Sequence, residues 1–138
     1  MEKLKERLQS CEAALVALDE ALRLPFSVIV RDAAIQRFEY SFESAWKLLK
    51  EYLEMQEGIV CNSPKGCFRE ALHVGLLTRA ETETCLIMTD DRNLTSHTYL
   101  ESLAERIYAQ LPAYLTVMQS LAKQIAARIE RANDAQKD

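Results

Sequence analysis

Near the start of the chain apolar residues fall at Leu4, Leu8, Cys11, Leu15, Leu18 and Leu22, in alternating steps of four and three. That stepping keeps one stripe on one face of a helix and predicts an amphipathic segment ending near Arg23. Pro25 interrupts it, Ser27 is placed to cap a second helix, and Ile35, Phe38, Phe42, Ala45, Leu49 and Tyr52 repeat the pattern until Gly58. At ~1.5 Å per residue this helix of ~30 residues would be ~45 Å long, the spine of a bundle. Ser63-Pro64 supplies a cap and a first-turn proline for a short helix through Phe68, Ala71 and Leu72 to Gly75. Thr78-Arg79-Ala80-Glu81 reads as a capping box that opens a further helix through Cys85, Leu86 and Met88.

That helix meets trouble from Asp90-Asp91 onward, where a break or tight connection is expected, because two acids oppose the macrodipole at a helix C-terminus and Asn93, Thr95 and Ser96 are weak helix formers. Thr98-Tyr99-Leu100-Glu101 reads as a second capping box restarting the helix directly after His97. Leu100, Leu103, Ile107 and Leu111 then form one stripe, and Tyr114, Met118, Leu121, Ile125 and Ile129 continue beneath. Pro112 either kinks this helix or starts the last one. Residues 131–138 are expected to fray. The pattern predicts an all-α fold, a four-helix up-and-down bundle with a short additional helix, as a single domain over 1–138.

Composition agrees with that pattern: 28% of the 138 residues are charged, and only three Gly and three Pro interrupt the chain. The net charge of −4 removes any diffuse attraction to nucleic acid or anionic membrane, so an RNA contact has to be local. Cys11, Cys61, Cys67 and Cys85 contain no Cys-x-x-Cys pair, and His73 and His97 lie far apart. A zinc site is therefore not expected, no cofactor is called for, and the cysteines read as reduced structural thiols. The N-terminus interleaves charge with its leucines, and no stretch approaches the roughly 18 apolar residues of a membrane span, which points to a cytoplasmic protein.

One segment carries candidate chemistry: Arg92-Asn93-Leu94-Thr95-Ser96-His97-Thr98-Tyr99. On an unbroken helix Arg92 and His97 would diverge by some 140°. A loop between Arg92 and Thr98 could instead turn the guanidinium, the imidazole and the Tyr99 phenol toward one site at a helix N-terminus, where free N–H groups favour phosphate. Histidine passes a proton near neutral pH, arginine clamps charge developing on phosphorus, and tyrosine donates a hydrogen bond or accepts a covalent group. The structural alternative assigns the same residues to pairing of Arg92 with Asp90 or Asp91, to a helix-end hydrogen bond from His97, and to packing of Tyr99.

Arg92-Asn93-x-x-x-His97-x-Tyr99 resembles the Arg-x4-His-x-Tyr motif of HEPN-domain proteins, in the HepT-like branch of nucleotidyltransferase substrate-binding proteins encoded beside a minimal nucleotidyltransferase. The segments Phe38 to Lys50 (FEYSFESAWKLLK) and Ser63 to Ala71 (SPKGCFREA) are similar to the second and third helical blocks of that family, and the likeness covers roughly residues 3 to 130. Leu100 departs from it, since relatives often carry a polar or acidic residue after the tyrosine. The resemblance implies a homodimer with two facing motifs that cut RNA without a metal, Arg92 stabilising the phosphate, His97 acting as acid or base, and Asn93 orienting the site. It also implies a partner nucleotidyltransferase, the antitoxin of a toxin–antitoxin pair, which adds AMP to Tyr99 and silences the toxin by charge repulsion. No DNA partner is implied.

Other residues read as structural. Trp46 with Phe38 and Phe42 suits a core or dimer interface better than base stacking. Lys47, Lys50, Lys65 and Arg69 are interspersed with Glu43, Glu51, Glu54 and Glu70 and read as a solvated face, and His73 reads as a structural histidine. Three functions remain in competition: an RNA-cleaving toxin, a non-catalytic subunit that presents substrate to the nucleotidyltransferase, and a helical assembly protein whose apolar surface only makes oligomers.

Overall fold

The computed structural model describes residues 1–137. Helix α1 spans Glu2–Leu22, α2 Val28–Glu57, α3 Pro64–His73, α4 Arg79–Leu94 and α5 Glu101–Lys137, with a 3-10 turn over Thr95–His97 between the last two. Three of the four expected caps are formed. The Ser27 hydroxyl accepts from Val30 N and that of Ser63 from Gly66 N, while Thr78 and Glu81 exchange both bonds of a capping box. Gly58 closes α2 at φ 66°, a left-handed conformation that costs an L side chain roughly 1–2 kcal/mol.

Both stripes of α1 and α2 turn inward. Leu4, Cys11, Leu15 and Leu18 meet Phe38, Phe42, Ala45 and Leu49, and the buried Ile107, Leu111, Met118, Leu121 and Ile125 of α5 close the core. The Phe38 ring stacks on Tyr114 with centroids 5.6 Å apart, and Phe42 meets Phe68 edge-on at 6.1 Å, so aromatic contacts fasten α3 and α5 to the spine. Trp46 is partly buried against this core and donates to Glu43, the structural role expected of it.

Several expectations are corrected. No break occurs at Asp90-Asp91. Asp91 is buried, and its carboxylate accepts from the Tyr114 hydroxyl at 2.5 Å and from Arg106 at 2.9 Å, while Asp90 pairs with Lys65. Cross-helix partners outweigh an unfavourable macrodipole term that is rarely above about 1 kcal/mol, and α4 continues to Leu94. The second capping box does not form: Thr98 Oγ1 donates back to the Thr95 carbonyl, and Glu101 is drawn away by Arg31 at 2.7 Å. Helix α5 therefore starts at Glu101, and Leu100, expected in the buried stripe, is 51% exposed. Pro112 lies inside α5, which runs unbroken through the stretch from 131 expected to fray, as far as Lys137; Asp138 lies outside the described residues.

The cysteines divide. Cys61 and Cys67 form a disulfide across the loop that enters α3, with Cα atoms 5.5 Å apart, contrary to the expectation of four reduced thiols. The turn at Ser63-Pro64 folds the six-residue separation back on itself, a proximity that a search for Cys-x-x-Cys cannot find. Cys11 and Cys85 are free and buried, and burial pushes each thiol up to about 12.

Candidate functional site

The Arg92–Tyr99 segment lies where α4 gives way to α5. Thr95, buried at this junction, donates its hydroxyl to the Arg92 carbonyl at 2.8 Å, and Thr98 repeats the bond to Thr95 one turn on. Each threonine offers the backbone a local i to i−3 partner, and the α-helix tightens into a 3-10 turn. Weak helix formers thus make the transition, as the sequence predicts, but four residues later than Asp90-Asp91.

Arg92 sits on the last turn of α4 with its side chain 27% exposed. Its guanidinium reaches Glu43 of α2 at 3.5 Å and Thr95 Oγ1 at 3.5 Å, and its Nε is buried without a hydrogen-bond partner. A buried N–H left unpaired costs about 1–3 kcal/mol, which an incoming acceptor would recover. His97 and Tyr99 are both exposed, with Nδ1 of the imidazole 3.4 Å from the phenolic oxygen and the rings edge to face at 5.9 Å. Asn93 is exposed beside Arg92. Tyr99 is 76% exposed, so its hydroxyl is open to modification and its ring is not a packing element.

Two of the three structural alternatives for these residues are not realised. Arg92 pairs with neither Asp90 nor Asp91, both of which have other partners, and Tyr99 leaves the core. Arg92 is held by Glu43 and Thr95 and His97 by Tyr99, and among the described residues no hydrogen bond or ion pair joins Arg92 to His97. Sequence reasoning missed Glu43, whose carboxylate accepts from Trp46 and lies near Lys47 as well as Arg92, because no local spacing connects α2 to the end of α4. It also missed Asp91, Tyr114 and Arg106, which anchor the turn preceding Arg92. The lysines read as a solvated face keep that role at Lys65, paired with Asp90 at 2.6 Å, and at Lys50, which lies over the Trp46 ring at 5.8 Å. His73 is exposed beside Glu70. Among the described residues no group of three or more His, Cys, Asp and Glu side chains is gathered as for a metal, and no helix is long and apolar enough to cross a membrane.

Comparison with known proteins agrees with this topology. The family model for "Nucleotidyltransferase substrate binding protein like" matches residues 6–127. A probable ribonuclease HepT of Haemophilus influenzae (strain ATCC 51907 / DSM 11121 / KW20 / Rd) is 33% identical over 99 residues, which is 69% of this chain; the chain spans 66% of that relative's length. A crystal structure of a Thermus thermophilus protein superposes with a TM-score of 0.81 at 47% identity, covering 83% of this chain and 98% of the other. HI0074 of Haemophilus influenzae, described as having the fold of a substrate binding domain of a nucleotidyltransferase, gives 0.74 at 27% identity over 86% and 98%. A toxin–antitoxin complex with AMP-PNP shares the fold at 0.70 with 12% identity, over 88% and 96% of the two chains. With a family match over most of its length, the chain belongs to the HepT-like family of nucleotidyltransferase substrate-binding proteins.

Proposed function

We propose that the protein is a metal-independent endoribonuclease, the toxin of a toxin–antitoxin pair. The observation that carries this reading is the chemistry gathered at the junction of α4 and α5: an Arg92 guanidinium held at 3.5 Å by Glu43 and Thr95 with an unsatisfied Nε, and an exposed His97 imidazole touching an exposed Tyr99 phenol. A similar protein called a probable ribonuclease supports it. On this reading the protein acts as a homodimer in which the two motifs face each other. The ribose 2′-oxygen attacks phosphorus as a His97 imidazole takes its proton. The bond from phosphorus to the 5′-oxygen breaks, and the leaving oxygen is protonated by the second His97, which leaves a 2′,3′-cyclic phosphate. Arg92 exchanges its long ion pair with Glu43 for the charge growing on the phosphoryl oxygens, and Asn93 helps to orient that group.

A partner nucleotidyltransferase would silence the site by transferring AMP to the exposed Tyr99 hydroxyl, which puts negative charge against His97 and repels RNA. The cell compartment implied is the cytoplasm, where RNA and nucleotide donor are at hand. A second reading, a non-catalytic subunit presenting substrate to the nucleotidyltransferase, is favoured by the description of the HI0074 fold. Expression in a growing bacterial culture separates the two. The toxin reading expects growth arrest that is lost in Arg92→Ala and in His97→Ala, relief by the co-expressed nucleotidyltransferase with the mass of one AMP added, and no relief for Tyr99→Phe. Growth unaffected by the unmodified protein would favour the subunit reading.

A further inference from the structure

A cavity of about 420 Å³ opens between α1 and α2, and one of its walls is Glu43, the carboxylate that also reaches Arg92. Lys3, Arg7 and Ser10, at i, i+4 and i+7 of α1, face Glu43 and Lys47, at i and i+4 of α2, and Glu6 stands on the rim. Lys3 pairs with Glu51 at 3.5 Å and Lys47 with Glu43 at 3.8 Å, so among the described residues Arg7 is the lining cation with no carboxylate partner. Arg7 is only half-exposed, and its Nε is buried with no acceptor. The same defect occurs in Arg92, so two arginines with unsatisfied donors flank one glutamate. Glu43 satisfies neither of its cationic partners closely: Lys47 is 3.8 Å away and Arg92 3.5 Å, against about 2.7–2.9 Å for a strong charge-assisted bond. Cations held so loosely exchange a carboxylate for a better acceptor at small cost.

We infer that this cavity is a phosphodiester subsite that holds a nucleotide flanking the scissile bond of single-stranded RNA, with Arg7 and Lys47 on the phosphate and the Ser10 hydroxyl as an additional donor. The site rests on the ribonuclease reading for its direction: from Arg92 at Glu43 to Lys47 is one helical turn along α2, about 6 Å, so the RNA backbone runs along that helix. Glu43, between the two, repels a phosphate placed midway and sets the register at which both cations are occupied. RNA is favoured over a membrane surface because the lining is recessed and mixed in charge, whereas anionic lipid recruits an exposed block of like charge.

The test is binding rather than cleavage, so that it stands apart from the catalytic reading. A fluorescent 2′-O-methyl single-stranded oligonucleotide, which lacks the nucleophilic hydroxyl, is titrated by anisotropy at several salt concentrations. Arg7→Gln and Lys47→Glu are each expected to weaken binding about tenfold and to lower the salt slope by about 0.7, the share of one phosphate. Lys47 is about half exposed, so its variant tests the site even if Arg7→Gln disturbs the fold. That result supports the subsite whether or not the protein cuts RNA. Wild-type affinity and slope in a folded Lys47→Glu variant would overturn it and leave the ribonuclease reading untouched. Failure of the wild type to bind the oligonucleotide, with binding to vesicles containing anionic lipid, would also overturn it and reassign the cavity to a membrane surface.

Discussion

Removing the Tyr114 hydroxyl should unfasten the end of α4 at a predictable cost. Tyr114 is 2% exposed, and its hydroxyl donates to a buried carboxylate, Asp91, which holds Arg106 on its other oxygen. Burial first, and the Asp91 acceptor second, push the phenol above its usual range, so it stays a neutral donor to a carboxylate that Arg106 pairs at 2.9 Å. Hydrogen bonds to charged groups contribute about 1.5–3 kcal/mol. Tyr114→Phe keeps the ring stacked on Phe38 and should lose about that much, a fall of roughly 5–10 °C in Tm for a domain of this size. Asp91→Ala strands the buried hydroxyl, at about 1–3 kcal/mol, and releases the half-exposed Arg106, which adds at most about 1 kcal/mol. Urea unfolding followed by helical circular dichroism gives both values, and the double variant should show a coupling energy above about 1 kcal/mol. A Tyr114→Phe protein within about 0.5 kcal/mol of wild type would refute the reasoning that this bond, and not the surrounding apolar packing, secures α4 where it carries Arg92.

Acid stability and thiol chemistry supply two further predictions. The Thr78 backbone N–H, then the Ser120 hydroxyl, hold the Glu81 carboxyl below its usual value. A lowered pKa contributes stability that is present above the unfolded value, near 4.5, and lost as pH falls through the folded one. Glu81→Gln should therefore destabilise the protein at neutral pH and flatten the decline below pH 4.5, and parallel pH profiles for the two proteins would contradict this. In a thiol titration the native protein should show almost no rapidly reacting groups, the denatured protein two, and the denatured and reduced protein four, from buried Cys11 and Cys85 and the bonded Cys61 and Cys67. Four thiols on denaturation without reductant would mean that the disulfide is not formed.

Much of the fold is legible in the chain because its signals are local. The stepping of Phe38, Phe42, Ala45 and Leu49, the caps at Ser27, Ser63 and Thr78 and the stop at Gly58 each act within one or two turns. Where reading failed, a distant partner had overridden the local preference. Asp91 stays helical because Tyr114, 23 residues on, takes its charge, and Glu101 abandons its cap for Arg31, 70 residues back. The disulfide fails to announce itself for a related reason, since the turn that brings its cysteines together lies between them. The site shows the same division. Arg92, Asn93, His97 and Tyr99 stand out as a motif, but the cavity lined by Arg7 and Lys47 arises from packing α1 against α2, and Glu43 joins the site because Arg92 reaches it across the fold, which no spacing records.

The measurement that bears most directly on the central claim is incubation of purified, unmodified protein with total cellular RNA in EDTA, beside His97→Ala, followed by analysis of the fragment 3′ ends. Fragments ending in 2′,3′-cyclic phosphate are expected from the wild type and none from the variant. Intact RNA with both proteins, when mass spectrometry finds no AMP on Tyr99, would contradict the ribonuclease reading.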